Sequence, residues 1–208
     1  IERASSKKGA WFTSIDFRPS FLQCRVDEST NELLTVSDPV DGSRYTLKIS
    51  RFGFVSSGAY LANCLSTVLR GLIADSSIFL YVDDVCLIDD NWDSHLHNLS
   101  RLLERFQQYN VKIGRAKSTF AFPKAIFLGV ELSAAGHRPI TKFTDKIASE
   151  FTPPVNRQGV VRYLAFSGYH RRYLEGYSKH TFHMRQLVKK RNKFEWTKEC
   201  QHEFDSMN

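Results

Sequence analysis

The stretch SSIFLYVDDVCLID, residues 76–89, constrains the fold more than any other part of the chain. Ile78, Phe79, Leu80, Tyr81 and Val82 run into adjacent aspartates, Asp83 and Asp84, and Val85, Cys86, Leu87 and Ile88 follow. A run this apolar is no surface loop. As two short strands it makes a hairpin with Asp83 and Asp84 at the tip. Burying a carboxylate without a partner is costly. Three explanations therefore compete: an exposed tip, pairing with arginines, or a bound cation. By itself an Asp-Asp turn is ordinary structure.

The flanking sequence sets the hairpin in a mixed fold. Residues 10–26 alternate in the strand manner around WFTSID and FLQCRV, DPVDG at 38–42 reads as a hairpin tip, and RYTLKI as a strand ending before Gly53. Leu61, Leu65, Val68 and Leu72 recur at helical spacing, with Ser56 or Ser57 as N-cap. Trp92, Leu96, Leu99, Leu103 and Phe106 mark the buried face of a helix over 90–110. Strands are expected at 118–122 and 125–132, and from Lys142 onward helices punctuated by Pro153-Pro154 and Gly168. The class is α+β: an antiparallel sheet backed by helices over 1–140, then a mainly helical subdomain.

Composition narrows the partners. With 208 residues and 42% hydrophobic content the chain can bury a sizeable core. No run of about 18 apolar residues occurs, so nothing reads as a membrane span. The opening IERASSKKGAWF lacks a signal peptide's apolar stretch and reads as an internal cut from a longer polypeptide. Cys24, Cys64, Cys86 and Cys200 show no metal-ligand spacing and are expected as free thiols inside the cell. Residues 111–193 hold seventeen Lys/Arg against four Asp/Glu, whereas residues 1–110 hold eleven against fourteen. A basic block in ordered sequence suits a polyanion such as nucleic acid, although it also describes a solvated face.

Asp16 gives the aspartate pair its chemistry. It ends the strand WFTSID, and neighbouring strands lie about 4.8 Å apart. If that strand pairs with the hairpin, Asp16, Asp83 and Asp84 share reach of the same cations. Hard oxygen ligands suit Mg²⁺, and two ions about 3.5–4 Å apart suit phosphoryl transfer. The chain carries no GxGxxG, P-loop, GxSxG or HExxH.

Around these residues the chain resembles reverse transcriptases of gypsy-type LTR retrotransposons and retrovirus-like pol polyproteins. WFTSIDFRPSFLQ is similar to their first catalytic motif, RFGFVSSGAYLANCL to the FG-containing segment and FLYVDDV to the YxDD motif. NVKIGRAKSTFAF resembles the lysine-bearing turn, and IFLGVELSAAGHRP the hairpin that grips the primer end. PPVNRQGVVRYLAFSGYHRRYLEGYS resembles the start of the thumb, and FEWTKECQHEFDSM the segment after it. The resemblance implies a palm over 1–140, a thumb over 141–193 and the start of a connection over 194–208. It implies an RNA-directed DNA polymerase using two Mg²⁺ or Mn²⁺ ions, dNTPs, and a primer on an RNA or DNA template. Asp16, Asp83 and Asp84 would hold the metals, and Lys117 would protonate the departing pyrophosphate. Phe17 and Arg18 would approach the triphosphate by their backbone, Phe21 would gate the sugar, and Phe52 and Gly53 would flank the nucleotide. Tyr81, Val82, Phe127, Leu128 and Gly129 would meet the primer. Arg162, Arg171 and Arg172, interleaved with Tyr163, Tyr169 and Tyr173, would meet phosphate and sugar, a task that packing tyrosines need not share. Cytoplasmic virus-like particles or the nucleus are the expected locations.

The chain departs from the family pattern at Arg51, Gly58, Leu61 and Ala62, and at Pro19-Ser20 before the gating aromatic. The fingers, which supply two basic residues in the family, are expected upstream, and RNase H and integrase segments downstream. These departures leave room for a degenerate or domesticated remnant that binds nucleic acid without extending a primer. An RNA-templated RNA polymerase would share the palm, but the YVDD context and Phe21 speak against it.

Overall fold

A computed structural model describes residues 9–207, except Arg18, Phe52, 74–76, 142–144 and 146–150, and the side chain of Glu32. The chain divides into two compact units, Ile1–His137 and Arg138–Asn208. Antiparallel strands and helices build the first, and the described elements of the second are almost all helices, so the chain is α+β.

The first unit is organised by a four-stranded sheet. Its strands are β1 (Trp11–Asp16), β4 (Ile78–Tyr81), β5 (Asp84–Asp89) and β6 (Thr119–Phe122), in the order β4-β5-β1-β6. Val85, Cys86, Leu87 and Ile88 of β5 are all fully buried. Each such aliphatic side chain stabilises by about 1.5–3 kcal/mol, which is why this stretch takes the centre of the sheet. Helices α1 (Ser57–Val68) and α2 (Trp92–Gln108) pack on it, and Leu61, Leu65, Val68, Leu102 and Phe106 join Ile15, Val85 and Leu87 in one core. The Asn91 side chain accepts from the Ser94 N–H at 2.9 Å and caps α2, a contact worth about 1 kcal/mol. The hairpin of β2 (Thr35–Ser37) and β3 (Arg44–Thr46) turns through 38–42 as expected.

Several local expectations change. FLQCRV is no strand: Phe21–Gln23 forms a 3-10 turn, and only an Arg25↔Ile49 bridge remains beyond it. Residues 125–132 do not run through as one strand. They fold into β7 (Lys124–Phe127) and β8 (Val130–Ser133), followed by β9 (Gly136–Pro139). Leu128 and Gly129 both have positive φ, 51° and 71°, as the tight turn between β7 and β8 requires. Ser56 stands at the start of α1 without a side-chain cap, while the Ser57 hydroxyl donates to the Arg51 carbonyl at 2.7 Å.

The buried face of α2 is also rotated from the expected one. His95, Leu102 and Phe106 are buried, whereas Trp92, Leu96 and Leu103 are exposed. A polar network accounts for the rotation. The Ala121 N–H donates to Thr13 Oγ1 at 3.0 Å, and Thr13 lies 2.8 Å from His95 Nε2. His95 Nδ1 lies 2.9 Å from Asp89 Oδ2, and Asn98 Nδ2 donates to Asp89 Oδ1 at 2.8 Å. The Asp89 carboxyl is held ionised and can only accept, so Nδ1 carries the proton given to it.

In the second unit α3 (Arg157–Tyr169), α4 (Phe182–Val188) and α5 (Lys198–Asp205) share a core of Val160, Tyr163, Met184, Leu187, Cys200 and Phe204. The buried Glu203 carboxylate accepts the His183 and Met184 N–H groups at 2.8 and 2.9 Å and so caps α4. The FEWT segment is therefore built into this core: Phe194 and Trp196 pack against it. Among the described residues no helix is long and apolar enough to cross a membrane.

Candidate active site

The aspartates meet because β1 and β5 pair over their whole length. Trp11 stands opposite Asp89, and the register ends on Asp16↔Asp84. Strands β4 and β5 pair Tyr81 with Asp84, so the turn consists of Val82 and Asp83. The tip is thus one residue earlier than expected, with Asp84 the first residue of β5. Val82 sits at φ 54°, a conformation that a β-branched residue adopts only under strain.

Partial loss of hydration and like charge act together on Asp84, whose side chain is still exposed at the start of β5. Its carboxyl is held above the ordinary carboxylate range, first by lost hydration, then by the charges of Asp83 and Asp16. Burial, and after it the charge of Asp84, pushes the Cys86 thiol up to about 12. Among the described residues no Lys or Arg forms an ion pair with any of the three aspartates. No group of three His, Cys, Asp or Glu among those residues is arranged to ligate one ion. The aspartates are thus electrostatic neighbours, with Asp83 held off in the turn, and form no closed cage. Hard carboxylate oxygens near one another, with no ion-paired Lys or Arg among the described residues, fit Mg²⁺, which commonly takes one or two carboxylates and completes its shell with water and substrate phosphates.

The segment bearing Lys117 borders this site. The Gly114 N–H donates to the Asp16 carbonyl at 2.7 Å, and the Asp16 N–H donates to Ser118 Oγ at 3.1 Å. Lys117 is exposed in the turn between them. Neither Gly114 nor Ser118 was among the residues expected at the site, because a hydroxyl beside a lysine carries no signal in sequence.

The other expected residues are dispersed. Phe17 is a core residue, buried edge-on against Phe106 with ring centroids 5.3 Å apart. Phe21 is half-buried against the same core. Gly53 has φ 94°, which favours glycine, and no atom lies within 4 Å of where a Cβ would be. Arg18 and Phe52 lie outside the described residues. Tyr81 is exposed beside Asp84, and Phe127 is buried at the end of β7. In the second unit Arg162, Arg171 and Arg172 are exposed. Tyr163 is fully buried, and burial raises its phenol well above the ordinary value. Its role is packing, which corrects the expectation that it meets phosphate or sugar.

Comparison with known proteins decides the family. The profile described as reverse transcriptase (RNA-dependent DNA polymerase) matches residues 2–132, more than half of the chain. The chain belongs to the reverse transcriptase family. Among relatives of this reverse transcriptase chain is the retrovirus-related Pol polyprotein from transposon 412 of Drosophila melanogaster. It is 28% identical over 202 residues, which cover 95% of this chain and 16% of the polyprotein. The Pol polyprotein from transposon opus, also of Drosophila melanogaster, is 27% identical over 176 residues, 85% of this chain and 17% of its own length. The chain thus spans about one sixth of the curated relatives it matches. A foamy viral protease-reverse transcriptase solved with double-stranded DNA is similar over 97% of this chain and 35% of its own, with a TM-score of 0.85 at 18% identity. A second foamy viral structure, with an RNA/DNA hybrid, has a TM-score of 0.80, also at 18% identity, and covers 97% of this chain and 27% of its own. At that identity the likeness establishes the fold.

Proposed function

We propose that this chain is the palm and the beginning of the thumb of an RNA-directed DNA polymerase, encoded in the pol polyprotein of a gypsy-type LTR retroelement. It joins dNTPs to the 3′ end of a primer on an RNA or DNA template. The observation that carries this reading is the Asp16↔Asp84 register, which brings carboxylates from two distant segments to one end of the sheet with no ion-paired Lys or Arg among the described residues. Residues 1–140 are read as palm, 141–193 as thumb and 194–208 as the start of the connection. Fingers, and any RNase H or integrase, belong to other segments of the same polyprotein, which works in cytoplasmic particles or in the nucleus.

Asp16, Asp83 and Asp84 would hold two Mg²⁺ or Mn²⁺ ions, which would supply activation of the primer hydroxyl and neutralisation of charge on the leaving oxygen. Lys117 delivers a proton to the departing pyrophosphate. The Phe21 ring lies under the sugar and excludes a 2′-hydroxyl. The backbone of Phe17 and Arg18 approaches the triphosphate, and Phe52 and Gly53 flank the nucleotide. Tyr81 and Val82 form the floor at the primer end, and Phe127, Leu128 and Gly129 touch its backbone. Arg162, Arg171 and Arg172 meet phosphates without reading sequence, as a polymerase that accepts any template requires.

The test is primer extension by the full-length parent with Mg²⁺ or Mn²⁺, comparing dNTPs with rNTPs. Extension that prefers dNTPs and is abolished by Asp83→Asn with Asp84→Asn supports the reading. Extension that survives both substitutions overturns it. Retained template binding with no extension supports a nucleic-acid-binding remnant instead.

A further inference from the structure

The segment carrying Lys117 is fastened alongside the segment carrying Asp16. Gln23 Nε2 donates to the Lys112 carbonyl at 2.8 Å, and the Lys112 N–H returns a bond to Gln23 Oε1 at 2.5 Å. An isolated bridge pairs Phe17 with Ile113. Next come the two bonds to the main chain of Asp16, from Gly114 N–H to its carbonyl and from its N–H to Ser118 Oγ. The Ser118 hydroxyl also donates to the Gly114 carbonyl at 3.0 Å. One oxygen therefore closes a ring that holds both ends of the 114–118 turn against Asp16.

The strand register explains why a side chain does this work. β1 and β6 pair Phe12 with Phe122 and Ser14 with Thr119, with a shift between the two pairs. Ala121 takes a φ of 53° within this irregular stretch. Continuing the Ser14↔Thr119 register by two residues would set Lys117 opposite Asp16. The chain instead leaves the strand in a turn, with the Lys117 and Ser118 N–H groups both directed to the Gly114 carbonyl at 3.0 Å. The Asp16 N–H, deprived of a strand carbonyl, is taken by the Ser118 hydroxyl. Alanine there leaves that N–H without its partner and frees the turn that presents Lys117.

We propose that Ser118 is a positioning residue of the polymerase reaction, its hydroxyl fastening the Lys117-bearing turn to the main chain of Asp16. This rests on the polymerase reading above.

The test is single-nucleotide incorporation by the full-length protein, with Ser118→Ala, Ser118→Cys, Ser118→Thr, Lys117→Ala and the Lys117→Ala/Ser118→Ala double variant. Ser118→Ala is expected to lower kcat by about 10–100-fold, the scale on which misplaced catalytic groups act, while the dNTP KM stays within about threefold. Ser118→Thr, which keeps the hydroxyl, restores kcat. In the Lys117→Ala background Ser118→Ala costs less than about a further twofold, because coupled residues do not contribute additively. If the alanine variant does not fold, Ser118→Cys preserves the packing with a poor hydrogen-bonding group and is expected to show the same kcat loss. The proposal is overturned if Ser118→Ala keeps its kcat, if threonine fails to restore it, or if the two substitutions multiply. In that event extension by the parent that is lost with Asp84→Asn leaves the polymerase reading standing. A parent that extends no primer overturns both.

Discussion

Asparagine at position 84 removes one charge from the aspartate neighbours at almost constant size, and its effect on stability can be worked from the register. Asp16 and Asp84 are direct partners on antiparallel strands, which sets their Cα atoms about 4.5–5.5 Å apart. Two unit charges about 5 Å apart repel by about 3 kcal/mol at an effective dielectric constant of about 20. Asp84 is exposed, and solvent screening and side-chain freedom leave about 0.5–1 kcal/mol of this. Asp84→Asn without divalent cation is therefore expected to melt about 1–4 °C above the parent at pH 7. The sign follows from the direction of the shift. The folded-state carboxyl is raised by lost hydration and by Asp83 and Asp16. The stability linked to its proton is fully present below the ordinary carboxylate range and is lost as pH rises through the raised value. The advantage of the variant accordingly fades in acid. Divalent cation reverses the order. At ten times Kd it stabilises the parent by about 1.4 kcal/mol, while the variant gains little. Differential scanning calorimetry with and without Mg²⁺ or Mn²⁺ reads both arms. A variant less stable than the parent in the metal-free arm, or equal gains from cation in both proteins, would refute the reasoning.

Replacing Asp89 by Asn is expected to cost about 2–4 kcal/mol in urea unfolding at pH 7, because it breaks the buried contact to His95. Burial opposes ionisation of Asp89, but hydrogen bonds from His95, Ser77 and Asn98 outweigh it and hold the carboxyl below the ordinary range. That stability is present above the ordinary carboxylate value and lost as pH falls through the depressed one, so the gap between variant and parent should close in acid; a constant gap would refute the assignment. Gly58→Ala should raise stability by about 0.5–1 kcal/mol, since a Cβ there meets nothing within 4 Å and φ is not positive; a lower melting temperature would contradict this. Arg171→Ala with Arg172→Ala should weaken template-primer binding alike on unrelated sequences and flatten the plot of log K against log salt by about two. An unchanged slope would show that these arginines meet no phosphate.

The strand-turn-strand around the aspartates was legible because the apolar residues on either side could be buried only as paired strands. Its register was not. Whether Asp83 and Asp84 or Val82 and Asp83 form the tip depends on β1, whose pairing with β5 brings Asp84 opposite Asp16. The face of α2 was misjudged for a related reason. Hydrophobic periodicity counts Trp92, Leu96 and Leu103 as core, and gives no weight to a histidine. Here Thr13, Asp89 and Asn98 satisfy His95 and draw it inward. The turn at Leu128-Gly129 escaped notice because leucine rarely takes positive φ. The metal-ligand candidates were visible in sequence as chemistry. The Ser118 contact was invisible, because it depends on where β6 leaves the sheet.

Anomalous diffraction from crystals of the full-length protein with template-primer, an unreactive dNTP analogue and Mn²⁺ tests the central claim most directly. The account expects manganese peaks within about 2.0–2.3 Å of carboxylate oxygens of Asp16 and Asp84, lost in Asp84→Asn. Nucleic acid and nucleotide bound with no manganese at these aspartates would contradict it.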